Sequence, residues 1–288
     1  MVKIESHKRT LESAQPLVMG IINLTPDSFF EGSRFSGQQV VDMAGKMLQD
    51  GATIIDLGAM STRPGAEEIS LQEELDRLIP PLDMVRTAFS EAFLSIDTYR
   101  SAVALLAYEH DADMINDISG GTFDMQMFDM MAETGLSYVL MHTSGRPHTM
   151  QLNPEYQDVI AIINVFFNMQ IRRLHQLGVH NIVVDPGFGF GKTLAHNFQL
   201  LNGLHTFKEH GCPVMVGLSR KSMISKLLGI NTSEALNGTS ILNTIALLNA
   251  VDILRVHDVS EALQAVRLVA ALGEHNPGKY GRHNEKTN

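Results

Sequence analysis

The chain has 288 residues, a formal net charge of −10, 44% hydrophobic and 19% charged residues, which is the composition of a globular protein with a core and not that of a disordered one. The acidic balance excludes the wide Lys/Arg face that nucleic acid or an anionic membrane selects, so neither partner is expected, although a small anion in a local basic pocket is compatible. A lone Cys212, a charged start from Met1 to Thr10 and no apolar run of transmembrane length exclude a disulfide framework, a secretory signal and a spanning helix, and predict a cytoplasmic protein.

In chain order, residues 1–15 show no core pattern and read as an N-terminal extension to a barrel over 16–273. Eight short apolar runs, each closed by a polar or turn residue, follow at 17–23, 53–58, 92–97, 113–117, 137–142, 181–185, 213–218 and 251–256. After the first run, Val40, Val41, Ala44, Met47 and Leu48 recur at the three-and-four spacing of an amphipathic helix, as do Leu71, Leu75, Leu78, Ile79 and Leu82 after the second. Runs without clean alternation suit strands covered on both faces. Eight such units in a chain of this length predict an α/β fold, a single-domain (β/α)8 TIM barrel. Methionines at helical spacing, such as Met127, Met130 and Met131, read as core filler, and Cys212, just before a strand, as a packed thiol. The polar stretch 274–288 is expected to be a flexible tail.

Polar residues close the runs: Asn23, Asp56, Asp97, Asn116, Asp117, His142, Asp185, Ser219, Arg255 and His257. One such Asp is equally well a helix cap, but polar ends on every strand describe the active-site rim of a barrel. Arg63, Lys192, Arg220, Lys221 and Arg255 fall in the same post-strand positions, which predicts a locally positive mouth that takes anionic groups.

The segment from Asp185 to Thr193, Asp-Pro-Gly-Phe-Gly-Phe-Gly-Lys-Thr, follows a strand and precedes a helical pattern, the setting of a phosphate loop. A Walker A loop needs glycine where this chain has Pro186, which has no backbone N–H to donate. The glycines flanking two Phe residues read instead as a tight loop that presents Phe190 to a flat ligand. Twelve His residues form neither a His-Glu-x-x-His pattern nor a Cys-paired set, so a zinc site is not expected.

Taken together, Asn23-Leu-Thr-Pro-Asp-Ser-Phe29, Asp56 with Ser61-Thr-Arg-Pro-Gly-Ala66, Ser95-Ile-Asp-Thr98, Asn116-Asp-Ile-Ser-Gly-Gly121, Met141-His142, the Asp185 segment, Gly217-Leu-Ser-Arg-Lys-Ser222 and Arg255-Val-His-Asp258 resemble, in family order, the dihydropteroate synthases. The resemblance runs from about residue 17 to 260. It implies condensation of 6-hydroxymethyl-7,8-dihydropterin diphosphate with 4-aminobenzoate, with Mg²⁺ as cofactor, in a homodimer. The C–O bond to diphosphate breaks early in such a reaction, and the amine captures a pterin cation without a protein nucleophile.

Residue by residue, the resemblance implies pterin contacts at Asp97, Asn116, Asp185, Lys221 and Arg255. It places the diphosphate at Asn23, Thr62, Arg63, Arg255 and His257, with Asn23 also the Mg²⁺ contact, and the aminobenzoate at Phe29, Thr62, Pro64, Phe190, Ser219 and Ser222. Arg63, Lys221, Arg255 and His257 are the catalytic set. The loops carrying Phe29 and Thr62–Pro64 are expected to close over the amine, with the pterin bound first. Two loop sequences depart from the family's common pattern, Phe30-Glu-Gly-Ser33 and Thr143-Ser144. The rival readings are a pterin-dependent methyltransferase domain with a corrinoid partner, which does not need Thr-Arg-Pro-Gly or Ser-Arg-Lys-Ser, and a non-catalytic pterin- or phosphate-binding module, expected to lack one of Arg63, Lys221 or Arg255.

Overall fold

A computed structural model describes residues 1–25, 37–61, 66–151 and 154–275. Two short strands, β1 (Val2–Glu5) and β2 (Thr10–Ser13), make an antiparallel hairpin. The eight predicted runs are all strands: β3 (Leu17–Asn23), β4 (Ile54–Gly58), β5 (Phe93–Asp97), β6 (Met114–Asp117), β7 (Ser137–Met141), β8 (Ile182–Asp185), β9 (Met215–Val216) and β10 (Ile253–Val256). They lie parallel in the order β8-β7-β6-β5-β4-β3-β10-β9. An isolated parallel bridge between Val184 and Val214 joins the two ends and closes the barrel. The strand predicted over 213–218 is two residues long; at its start Pro213 has no N–H for a ladder, although its carbonyl still accepts the Val184 N–H at 2.9 Å.

Helices cover the outer face, from α1 (Gly37–Gln49), α2 (Leu71–Ala88) and α3 (Ser101–Glu109), through α4 (Met127–Thr134), α5 (Val159–Gln176) and α6 (Leu194–Asn202), to α7 (Ser222–Leu228), α8 (Leu236–Leu248) and α9 (Val259–His275). Side chains fix several helix starts: Ser70 Oγ accepts the Glu73 N–H at 3.1 Å, and Asp158 accepts those of Ile160 and Ala161 at 3.0 Å each. Val40 and Ala44 of α1 and Leu78 and Leu82 of α2 are buried against the strands. Met127, Met130 and Met131 are core residues, and burial lifts the Cys212 thiol to about 11. Among the described residues no helix is long and apolar enough to cross a membrane. Of the expected tail, only its first two residues are described, as the end of α9.

Residues 1–15 differ from the sequence reading. Val2 and Ile4, only 6% and 3% exposed, pack with Leu17, Met19, Ile54 and Phe93 across the strand starts, so the hairpin plugs the lower end of the barrel. Four-residue strands give too short a pattern to stand out, yet Val2 and Ile4 alternate with Lys3 and Glu5 as a one-sided strand requires. Arg9 ties the plug down through Asp113 at 3.0 Å, and Arg86 of α2 holds the same buried carboxylate at 2.7 Å.

Replacing Ile4 by Ala leaves a hole under the lower layer. We expect a loss of about 2–5 kcal/mol of stability, read from urea unfolding, with ligand affinity at the far end of the barrel unchanged in the folded protein.

Candidate active site

Side chains on a strand alternate between its two faces. Met19, Ile54, Phe93, Met114, Val183 and Ile253 pack together in the barrel interior. Two residues further along each strand, the inward face carries Ile21, Asp56, Ser95, Asn116, Asp185 and Arg255. An apolar layer thus supports a polar one, and the period that puts Asn116 inside puts Asp117 outside. The Asp117 carboxylate accepts the Tyr138 hydroxyl at 2.6 Å and the N–H groups of Ser119 and Gly121 at 2.7 and 2.9 Å. It braces the loop after β6 and is not part of the rim, where the sequence reading had put it.

Asp56 is fully buried, and its Oδ2 accepts Arg255 Nε at 2.7 Å and Asn116 Nδ2 at 3.1 Å. Arg255 Nη2 reaches Asp97 Oδ2 at 2.7 Å. Burial pulls the guanidinium pKa down, but Asp56 and Asp97 outweigh it and hold Arg255 above its ordinary value. Burial, reinforced by Asp56 and opposed by Arg255, raises the Asp97 carboxyl. With Asn116 donating to Asp56, its carbonyl oxygen is left as an acceptor. Asp56 Oδ1, Ser95 Oγ and Asp97 Oδ1 are buried with no hydrogen-bond partner among the described residues, a floor receptive to donors.

Asp185 ends β8 and is 5% exposed; its Oδ1 accepts the Gly187 N–H at 2.7 Å, and burial raises its pKa against that bond. The loop after it is held by its carbonyls. Lys221 Nζ donates to Phe188 O at 2.8 Å, Gln151 to Gly189 O at 2.6 Å, Lys192 to Phe190 O at 3.0 Å and Tyr156 to Gly191 O at 3.0 Å. Gly187, at φ +72°, sits so close to the His142 carbonyl that a Cβ would overlap it, which is what requires glycine there.

Lys221 follows a turn in which Arg220 takes φ 53°, uncommon for a non-glycine residue. The turn is fixed by the Arg220 N–H to Thr239 Oγ1 at 3.0 Å and a two-pronged pair to Asp258 at 2.9 and 2.8 Å. Lys221 is half-buried, with Nζ 4.2 Å from the centre of the Phe190 ring. Burial lowers its pKa to about 8 against the pull of Asp185. The pocket is lined by Asn116, Ile118, Met141, Asp185, Phe188, Phe190, Gly217, Lys221 and Arg255. Met60, Tyr99, Ile118 and Met141, with Phe190 against them, form an apolar wall.

Of the residues singled out in the sequence, Asn116, Asp185, Phe190, Lys221 and Arg255 share this pocket, and Asp97 is tied to it through Arg255. Ser219 is 6% exposed and pairs with His257: its Oγ accepts the His257 N–H at 3.2 Å and lies 3.0 Å from Nδ1. Asn23, half-buried, and His257 rise from the neighbouring strands β3 and β10, while Ser222 is exposed at the start of α7. Phe29, Thr62, Arg63 and Pro64, with the Phe30–Ser33 departure, lie outside the described residues. Among the described residues the mouth is less positive than expected. Arg220 is paired with Asp258, Arg255 with Asp56 and Asp97, and Lys192 is 4% exposed and turned onto carbonyls.

Asp56, Ile118, Met141, Phe188 and Gly217 all fall in the sequence motifs, but none was assigned a binding role there. The inward period from Ile54 to Asp56 was a signal for the first; the others are apolar or featureless and carry none.

The signature of the pterin binding enzyme family matches residues 19–257. The dihydropteroate synthase of Escherichia coli K12 is 43% identical over 273 residues, 94% of this chain and 96% of its own length. A crystal structure of the Yersinia pestis dihydropteroate synthase with a sulfonamide drug superposes with a TM-score of 0.89 at 40% identity, covering 95% of this chain and 100% of that one. The Xanthomonas albilineans dihydropteroate synthase with 4-aminobenzoic acid gives 0.87 at 34% identity, covering 94% and 97%.

The lowered Lys221 pKa predicts a stability signature. Between about 8 and the ordinary 10.5 the folded chain holds fewer protons than the unfolded one, so its stability rises with pH in that window; below about 8 both states are protonated and the slope vanishes. The stability difference between the wild type and Lys221→Met should therefore shift in favour of the wild type from pH 8 to 10.5, measured by chemical unfolding. A difference independent of pH would mean that the ammonium is not desolvated.

Proposed function

Since the chain belongs to the pterin binding enzyme family and, within it, to the dihydropteroate synthases, we infer that it condenses 6-hydroxymethyl-7,8-dihydropterin diphosphate with 4-aminobenzoate to give 7,8-dihydropteroate and pyrophosphate. The observation that carries this reading is the buried row of acceptors, Asp97, Asn116 and Asp185, under the cations Lys221 and Arg255. Asp185 supplies two carboxylate oxygens to the adjacent N–H donors of the aminopyrimidine edge, bonds worth roughly 1.5–3 kcal/mol each when charge-assisted. The Asn116 carbonyl and Asp97 Oδ1 accept from the remaining ring N–H groups. Lys221 donates to the ring, and Arg255, held flat by two carboxylates, lies against it.

The bond that breaks joins the pterin methylene carbon to the diphosphate oxygen, which leaves with the electron pair. Arg255 and His257 receive the leaving anion. A Ser219 hydroxyl directed at His257 Nδ1 keeps the ring proton on Nε2, where it can donate to phosphate. The amine nitrogen then bonds to the methylene carbon and loses one proton to water at the mouth. Phe190 packs on the amine's ring, and Ser222 takes its carboxylate. Arg63, Thr62, Pro64 and Phe29 keep the roles assigned by resemblance, the first two at the leaving group and Thr62, Pro64 and Phe29 at the amine.

We propose Mg²⁺ as the cofactor, with Asn23 as its protein contact. Among the described residues no cluster of three or more His, Cys, Asp and Glu could hold a metal, and the donor chemistry fits an ion that keeps its waters and takes most ligands from phosphate. When bound, Mg²⁺ neutralises charge on the leaving diphosphate. A homodimer is supported by exposed apolar residues on the last helices, Leu227, Leu228, Ile241, Leu248, Leu268 and Leu272. Cytoplasmic residence is supported by the single, buried Cys212.

Pyrophosphate release from the pterin diphosphate, with and without 4-aminobenzoate, tests the reaction; release coupled to dihydropteroate is expected, and pterin binding without release would favour a binding module or methyltransferase. Asp185→Asn should raise the pterin dissociation constant at least about tenfold, and an unchanged constant would remove that role. Ile241→Asp together with Leu268→Asp should convert a dimer in light scattering to a monomer; a wild-type monomer at all concentrations would refute the dimer.

A further inference from the structure

Lys192 is 4% exposed, and none of its hydrogen bonds among the described residues goes to a carboxylate. An ammonium has three N–H donors, and three acceptors meet this one: the His142 carbonyl at 3.2 Å, His142 Nδ1 at 3.2 Å and the Phe190 carbonyl at 3.0 Å. Burial, aided by the Lys192 charge, lowers the His142 pKa to about 3, so its ring is neutral and Nδ1 is free to accept. Burial also brings Lys192 down to about 7, with Asp185 opposing, the mark of a cation held where solvent cannot repay its desolvation.

What the lysine joins explains its position. His142 directly follows β7 and is fixed to the neighbouring strand through its N–H to Asp185 O at 3.1 Å. The other side-chain bonds to carbonyls of the Gly-rich loop go to Phe188, Gly189 and Gly191, so among the described residues it is Lys192 that holds the Phe190 carbonyl. Phe190 in turn packs against the Met60–Tyr99–Ile118–Met141 wall and sits beneath Lys221.

We propose that Lys192 is a positioning residue for the aromatic amine: it touches neither substrate, and acts by referencing the Phe190 ring to the rigid end of β7. This rests on the reading of Phe190 as the wall on which the amine's ring packs.

The test is a double-mutant cycle of Lys192→Met and Phe190→Ala in the full chain. The KM for 4-aminobenzoate is measured at saturating pterin diphosphate, and pterin affinity separately by calorimetry. Phe190→Ala and Lys192→Met should each raise the amine KM roughly tenfold, and Lys192→Met should leave kcat and pterin affinity within about twofold. The double variant should be no worse than Phe190→Ala alone, because a residue acting only through the ring has nothing left to position. Lys192→Arg, which keeps the donors, should recover part of the loss.

Effects that multiply, an amine KM unmoved by Lys192→Met while Phe190→Ala moves it, or equal weakening of pterin and amine would each overturn the proposal. An amine KM unmoved by Phe190→Ala would instead remove the role of Phe190, and the proposal with it. If Lys192→Met does not fold, Lys192→Gln takes its place in the same cycle.

Discussion

Asp56 is fully buried inside the barrel, and a carboxylate there persists only if donors reach it. The two that do, Arg255 and Asn116, are both parts of the pocket, so one oxygen sets the guanidinium's plane and the amide's orientation together. Arg255 then passes the constraint to Asp97. Two pocket groups, and Asp97 behind them, come from strands far apart in sequence and are thereby held by a residue absent from the pocket wall. Turning Asn116 over would bring its carbonyl oxygen against the carboxylate, which the interior does not tolerate.

The same layer is where the fold carries its electrostatic burden. Burial raises Asp97 and Asp185 and lowers Lys192 and Lys221. Burial pushes each of these groups towards its neutral form, and the opposite charges beside it offset part of that cost: Arg255 for Asp97, Lys221 for Asp185, and Asp185 for both lysines. The hairpin-sealed apolar layer beneath, with Val2 and Ile4 against Met19 and Phe93, supplies hydrophobic burial on which such a layer can rest.

The barrel was legible because doubly covered parallel strands read as short apolar runs, and eight were evident. The late start of β9 was written in Pro213, whose missing N–H matters only once its neighbours are known, whereas nothing in the apolar run marked its end at Val216. The hairpin was not read because each strand has four residues and their burial depends on the barrel floor they meet. In the site, the charged strand ends stood out by chemistry, but partnership did not: Asp56 lies 199 residues from Arg255, and no local pattern spans that distance. Asp117 shows the converse, since its neighbour Asn116 occupies the inward position and the alternation leaves it to the loop.

The barrel closes through one bridge, Val184 to Val214, and Asp185 lies immediately above it on one side with Gly217 and Lys221 beyond it on the other. This seam is where the cylinder has the fewest stitches and where slow breathing should concentrate. A flat ligand gripped from both sides would act as the missing rungs of the ladder. Occupancy of the pocket and rigidity of the barrel are then two readings of one event, and amide exchange along β8 and β9 would register the ligand's arrival without any label on it.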